Sequence, residues 1–328
     1  MSAPATGAPA APGAPGALRE LTGGDLLVLR ALGLGDLLAG VPALRGLRRA
    51  FPRHRLVLAA PAGVGAFLQR RGVVDEVLVA RDLAPLAARG GGHLAVDLHG
   101  NGPASREPLA ATGPQRLLGF RTAGHDGPAW VRDEHEVARW CRLVAAWGAG
   151  CGPEDLRLRP RPPAPPREGP VVVHPGAASA SRRWPVRRWA RVVAALVAVG
   201  HEVHVTGTAD EAALGAALAA AGAVDRCGAL DLDGLADLVG SARLVLCGDT
   251  GTAHVATALA VPSVLLFGPT PPRWWGPALD LDLHAVLWHG DPAAGDYVGD
   301  PHGAQVDPTL ARTSVEEVLA AAGRFVPL

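Results

Sequence analysis

The chain has 328 residues, with 31 Lys+Arg against 31 Asp+Glu and a formal net charge of +0. That balance argues against a nucleic-acid binder, because phosphate backbones select a basic surface. The length predicts two domains, each large enough to bury its own core.

Residues 1–24 are Ala-, Pro- and Gly-rich, lack the basic start and Leu-rich middle of a signal peptide, and read as a disordered tail. The first predicted element is the apolar run Asp25–Arg30, a buried strand. Gly33-Leu34-Gly35 follows, and Asp36 opens a helical pattern with Leu37, Leu38, Val41, Leu44 and Leu47 on one face and Arg45, Arg48 and Arg49 on the other. Arg55–Ala60, Val77–Val79 and Leu94–Leu98 are further strands, and Asp133–Ala149 is a helix. Strands alternating with helices predict a parallel sheet covered on both faces. Residues 159–168 hold the run Arg159-Pro160-Arg161-Pro162-Pro163-Ala164-Pro165-Pro166, which can be neither helix nor central strand and reads as a stiff linker. It separates a domain over 25–158 from one over 169–328.

The second half repeats the alternation. Val171–Val173 is a strand and His174–Arg183 a loop. Trp184-Pro185 opens a helix with Pro in its first turn, buried through Trp189, Val192, Val193, Leu196 and Val197 and ended by Gly200. His201–Thr206 is a strand, Asp210–Ala221 and Asp233–Ser241 are helices, and Leu244–Cys247 and Ser263–Phe267 are strands. Val315–Ala322 is the terminal helix, able to pack back on the first domain. Two doubly wound halves leave a cleft between them in which ligands bind. The cysteines Cys141, Cys151, Cys227 and Cys247 form no C-x-x-C pair, and four scattered thiols fit a reducing cytoplasm. No apolar run approaches the ~18 residues of a membrane span, which leaves at most peripheral membrane association.

Three segments could carry chemistry. Gly33–Asp36 lies between a strand and a helix, where glycines admit a ligand to the backbone and free amides attract anions, although it is not a dinucleotide fingerprint. On spacing alone, Asp36 reads first as the helix N-cap. His174–Pro185 combines small residues, hydroxyls and the adjacent Arg182 and Arg183 ahead of a helix, which suits either phosphate recognition or a solvated loop. Asp249-Thr250-Gly251-Thr252-Ala253-His254 begins a helix after a strand. There Thr250 and Gly251 would offer amides to a diphosphate, with His254 one turn on; the alternative is Asp249 as a cap and His254 as a core residue. Asp231-Leu232-Asp233 is rejected as a metal–diphosphate motif in favour of a helix cap, and Asp280-Leu281-Asp282 in favour of a turn. Asp97 and His99 find no third metal ligand. Trp274 and Trp275 either wall the cleft or pack within the fold.

These segments, in this order, resemble the heptosyltransferases of glycosyltransferase family 9. The resemblance rests on Leu27–Pro52, LVLRALGLGDLLAGVPALRGLRRAFP; on His174–Trp189, HPGAASASRRWPVRRW; and above all on Asp249–Thr270, DTGTAHVATALAVPSVLLFGPT. It implies an α/β GT-B fold, two Rossmann-like doubly wound domains facing a central cleft. It also implies inverting transfer without metal or other cofactor from a nucleoside-diphosphate sugar, ADP-heptose by family habit. Asp36 then stands as the base. Arg182 stands where the family carries a phosphate-binding Lys, an exchange that a GC-rich coding sequence explains, since the chain has no Lys and no Ile. Glu211, Asp249, Thr250, Gly251 and His254 complete the donor set, and Gly33, Gly35 and Asn101 form the acceptor-side loops. The partners expected are the donor and a glycan, glycolipid or natural-product acceptor in the cytoplasm. A GT-B nucleotide-sugar epimerase or hydrolase, or a non-catalytic nucleotide-sugar binder, are the alternatives.

Overall fold

The computed structural model describes residues 24–89, 92–162 and 168–328. The tail through residue 23 and linker residues 163–167 lie outside them. The chain divides into two compact units. Of the described residues, one holds those up to Leu32, Pro42–Trp130 and Trp140–Gly152; the other holds those of Gly33–Val41, Val131–Arg139 and Pro153–Leu328.

The first unit is built on five parallel strands in the order β3-β2-β1-β4-β5. They are β1 (Gly24–Leu29), β2 (His54–Ala60), β3 (Glu76–Val79), β4 (Leu94–Asp97) and β5 (Arg116–Leu118). Leu26–Leu29 and Leu56–Ala60 are almost wholly buried, as strands covered on both faces must be. Helix α1 (Leu34–Ala50) follows β1, and its expected apolar face is buried throughout. It begins two residues earlier than its sequence pattern suggests, because the Gly33 carbonyl accepts from the Leu37 amide at 3.0 Å. Asp36 therefore lies in the first turn, and its reading as the N-cap is corrected. Helix α2 (Ala62–Arg70) is an element that the sequence reading left out. Helix α3 runs only over Glu136–Ala145. Its expected start at Asp133 fails because the Arg139 guanidinium donates to the carbonyls of Val131, Arg132 and Glu134 and holds them in a loop.

The second unit carries six parallel strands in the order β11-β10-β9-β6-β7-β8. They are β6 (Val171–His174), β7 (Val203–Val205), β8 (Val224–Asp225), β9 (Leu244–Gly248), β10 (Ser263–Leu266) and β11 (His284–Leu287). Helices α4 (Val186–Ala198), α5 (Ala212–Ala219), α6 (Leu232–Ser241), α7 (Gly251–Ala258) and α8 (Val315–Ala322) cover it. Pro185 is the N-cap of α4, one place ahead of the expected first-turn position. Trp184 and Trp189 meet edge to face at 4.8 Å in the core, where Val315, Val318 and Ala321 of the terminal helix α8 also pack. The chain winds β6-β7-β8 to one side and β9-β10-β11 to the other, so the sheet reverses between β6 and β9. Ligands of open α/β sheets bind beyond the carboxyl ends of the strands at such a reversal. Among the described residues, no helix is long and apolar enough to cross a membrane.

Candidate active site

β6 ends at His174 and pairs with β9 through His174 and Cys247. The loops leaving these two strand ends open onto a cavity of about 230 Å³, to which the first gives Arg182 and the second, with α7, gives Asp249 and His254. The first turn of α1 adds Gly35 and Asp36.

That approach depends on two glycines. A Cβ on Gly35 would stand 2.8 Å from Cδ2 of His254 and 3.5 Å from Cα of Gly251. A Cβ on Gly251 would stand 2.9 Å from Cβ of Leu34. The first turns of the two helices therefore pack directly on each other, and both bring positive partial charge. Thr250 is the N-cap of α7, extended at φ −145° and ψ 171°, and its side chain makes no capping bond. Asp249 is thus not the cap.

Arg182 Nη1 donates to the Asp249 carbonyl at 3.1 Å and lies 3.9 Å from its carboxylate, while its Nε is buried with no hydrogen-bond partner among the described residues. Arg183 instead donates from Nε to the Ala177 carbonyl at 2.7 Å and shapes the loop. Burial pushes the Asp249 carboxyl above its ordinary value. The charge of Arg182 and a hydrogen bond from Thr270 oppose that shift, and the charge of Asp36 adds to it. Asp36 and Asp249 are thus close enough to sense each other's charge. His254 rests edge-on against Trp275, 6.0 Å between ring centroids, and Trp275 is itself a lining residue.

Not every expected site residue is here. Glu211 does not line the cavity; it closes a capping box with Thr208, accepting from that amide at 2.9 Å, and faces Gly176. Thr250 and Gly251 stand at the start of α7 without lining the cavity. Gly33 precedes α1, and Asn101 is exposed on the loop after β4, in the other unit. Asp97 and His99 are structural. Asp97 accepts from the His99 amide and the Ser105 hydroxyl, and His99 Nδ1 accepts from the Ala31 amide. Asp231 caps α6 by accepting from the Gly234 amide at 2.8 Å, as expected of it. Among the described residues, no group of three or more His, Cys, Asp or Glu could hold a metal ion. The sequence reading missed Tyr297, Pro301 and His302, which complete the cavity wall. One signal was available, since Tyr297 is the only tyrosine in the chain.

Residues 154–292 match the model of glycosyltransferase family 9 (heptosyltransferase). Over that stretch the chain is similar to glycosyltransferase family 9. A curated relative, lipooligosaccharide heptosyltransferase 2 of Haemophilus influenzae, is 28% identical over 167 residues, 47% of this chain and 48% of the relative. The match thus spans about half the length of that relative. The structure of a family 9 glycosyl transferase from Veillonella parvula has a TM-score of 0.74 at 17% identity, covering 93% of this chain and 97% of that one. The Escherichia coli ADP-heptose LPS heptosyltransferase II has a TM-score of 0.66 at 20% identity, covering 92% and 98%. At these identities the likeness shows the fold, which is GT-B. The matched stretch contains Arg182, Asp249 and His254, while Asp36 and Tyr297 lie outside it.

Proposed function

We propose that the chain is an inverting glycosyltransferase that moves a heptose from ADP-heptose to an acceptor hydroxyl without a metal ion. One observation carries this reading. A single cavity joins the Asp36 carboxylate to Arg182, Asp249 and His254 at the start of α7. Asp36 takes the proton of the acceptor hydroxyl, whose oxygen attacks the anomeric carbon from the side opposite the leaving group. The bond from that carbon to the phosphate oxygen breaks, and its electron pair stays on the departing nucleoside diphosphate. Arg182 faces that growing charge with a full cation, and the positive partial charge at the start of α7 adds to it. One carboxylate and no nucleophile suffice, so the anomeric centre inverts.

The acceptor is a glycan, glycolipid or natural product, reached in the cytoplasm with at most peripheral membrane contact. A panel of ADP-, GDP-, UDP- and dTDP-sugars, screened by thermal shift and then by transfer, tests the reading, because a bound donor stabilises by mass action. Stabilisation by ADP-heptose and transfer that persists in EDTA are expected. Strict dependence on added Mg²⁺ or Mn²⁺ would overturn the metal-free mechanism. Release of free sugar with no acceptor present would move the reading to a hydrolase.

A further inference from the structure

The family 9 match stops at residue 292, yet one wall of the cavity is made by Tyr297, Pro301 and His302. This wall is fixed by the cavity's own floor. The Val298 amide donates to the Pro269 carbonyl at 2.9 Å and the Ser181 amide to the Gly303 carbonyl at 3.1 Å. The Asp307 amide returns to the Ser181 carbonyl at 3.2 Å, and its carboxylate accepts from the Thr309 amide at 2.8 Å. The wall is therefore bonded to the turn that presents Arg182 and to the end of the segment after β10.

Tyr297 is held separately. Its ring stands at 90° to that of Trp274, 5.1 Å between centroids, and the Arg132 guanidinium lies 5.7 Å from it. Arg132 in turn pairs with the neighbouring Asp296. A phenol and an imidazole thus enter a cavity whose other ionisable side chains are Asp36, Arg182, Asp249 and His254. In the proposed reaction the cation meets the diphosphate and Asp36 meets the acceptor. The sugar lies between them, a ring of hydroxyls recognised by uncharged donors and acceptors and by flat ring faces.

We infer that Tyr297 and His302 read the transferred sugar of the donor, making 296–302 the sugar-selecting segment of this chain. This rests on the glycosyltransferase reading. The test is calorimetric titration of ADP-heptose and of ADP alone, or of whichever sugar and nucleotide pair the donor panel selects, into wild type, Tyr297→Phe and His302→Ala. The Phe variant keeps the ring packing, and His302 is exposed, so both should melt with the wild type. Each variant is expected to lose about fivefold in affinity for the nucleotide sugar, the size of one hydrogen bond, and to keep its affinity for the bare nucleotide within about twofold. Equal losses for both ligands would assign the segment to the nucleotide and overturn the inference, as would variants that match the wild type on both. A wild type that binds neither ligand would instead bring down the glycosyltransferase reading itself.

Discussion

Asp36 is the residue on which the proposed chemistry turns. It stands in the first helical turn, where acidic side chains are favoured, yet its carboxylate also lines the cavity with Arg182 and His254. Asp36→Asn keeps the shape and removes the proton acceptor. Transfer should fall about 10²–10⁴-fold while donor affinity stays nearly intact, and initial rates beside a calorimetric titration check both. Near-normal turnover would return Asp36 to a structural role. Asp36 was singled out in the sequence by the family resemblance, since its spacing alone reads first as a helix cap. Its surroundings were less legible: Asp249, read as a possible cap, proves to be a buried acid held beside Arg182. Glu211 shows the reverse, since its carboxylate serves the backbone of its own turn.

At the scale of elements, the site depends on how closely α1 and α7 approach. Gly251 lies against Leu34, so the absence of a side chain serves helix contact, where the sequence had suggested room for a phosphate. Gly251→Ala should push the first turn of α1 and with it Asp36, lowering kcat more than it weakens donor binding. Adding Leu34→Ala should restore much of the loss, because it removes the opposing carbon. A double-mutant cycle on kcat checks this, and strictly additive effects would refute the contact. The elements that were readable were the fully buried strands, whose apolar runs admit one interpretation. Helix α2 was hidden by Gly63 and Gly65, and the second of these is demanded by packing, since its Cβ would fall 2.5 Å from Val77. β11, half exposed at its sheet edge, lacks the apolar run of its neighbours. Residues 293–307 carry no period at all, which is why their share of the cavity wall could not be read.

At the scale of the whole molecule, the residues flanking the proline-rich run are anchored by charge. Asp280, in the left-handed region at φ 52°, accepts from both nitrogens of Arg157 at 2.6 and 2.7 Å and from Arg161 at 2.7 Å. Burial alone would raise this carboxyl, but hydrogen bonds and charge from Arg157, then Arg161, hold it below its ordinary 3.8. Its folded state therefore binds its proton more weakly than the unfolded chain. The resulting stability is present above about pH 4 and is lost as the pH falls through the lower folded value. Asp280→Asn keeps a residue that tolerates this backbone and deletes the charge. At pH 7 it should cost about 2 kcal/mol, or roughly 4–8 °C in Tm, and the gap should narrow by pH 3.5. Calorimetry at the two pH values checks it; an equal gap at both would exclude the ionic account.

The placement of Trp275 against His254 makes the cavity its own optical reporter. Trp140, Trp184 and Trp189 are each at most 3% exposed, whereas Trp275 borders the space a ligand would fill. Displacing water from that indole changes its emission, so donor entry should be visible as intrinsic fluorescence without any label. Most of the signal should be lost in Trp275→Phe. A stopped-flow fluorescence trace would then time donor entry separately from sugar transfer.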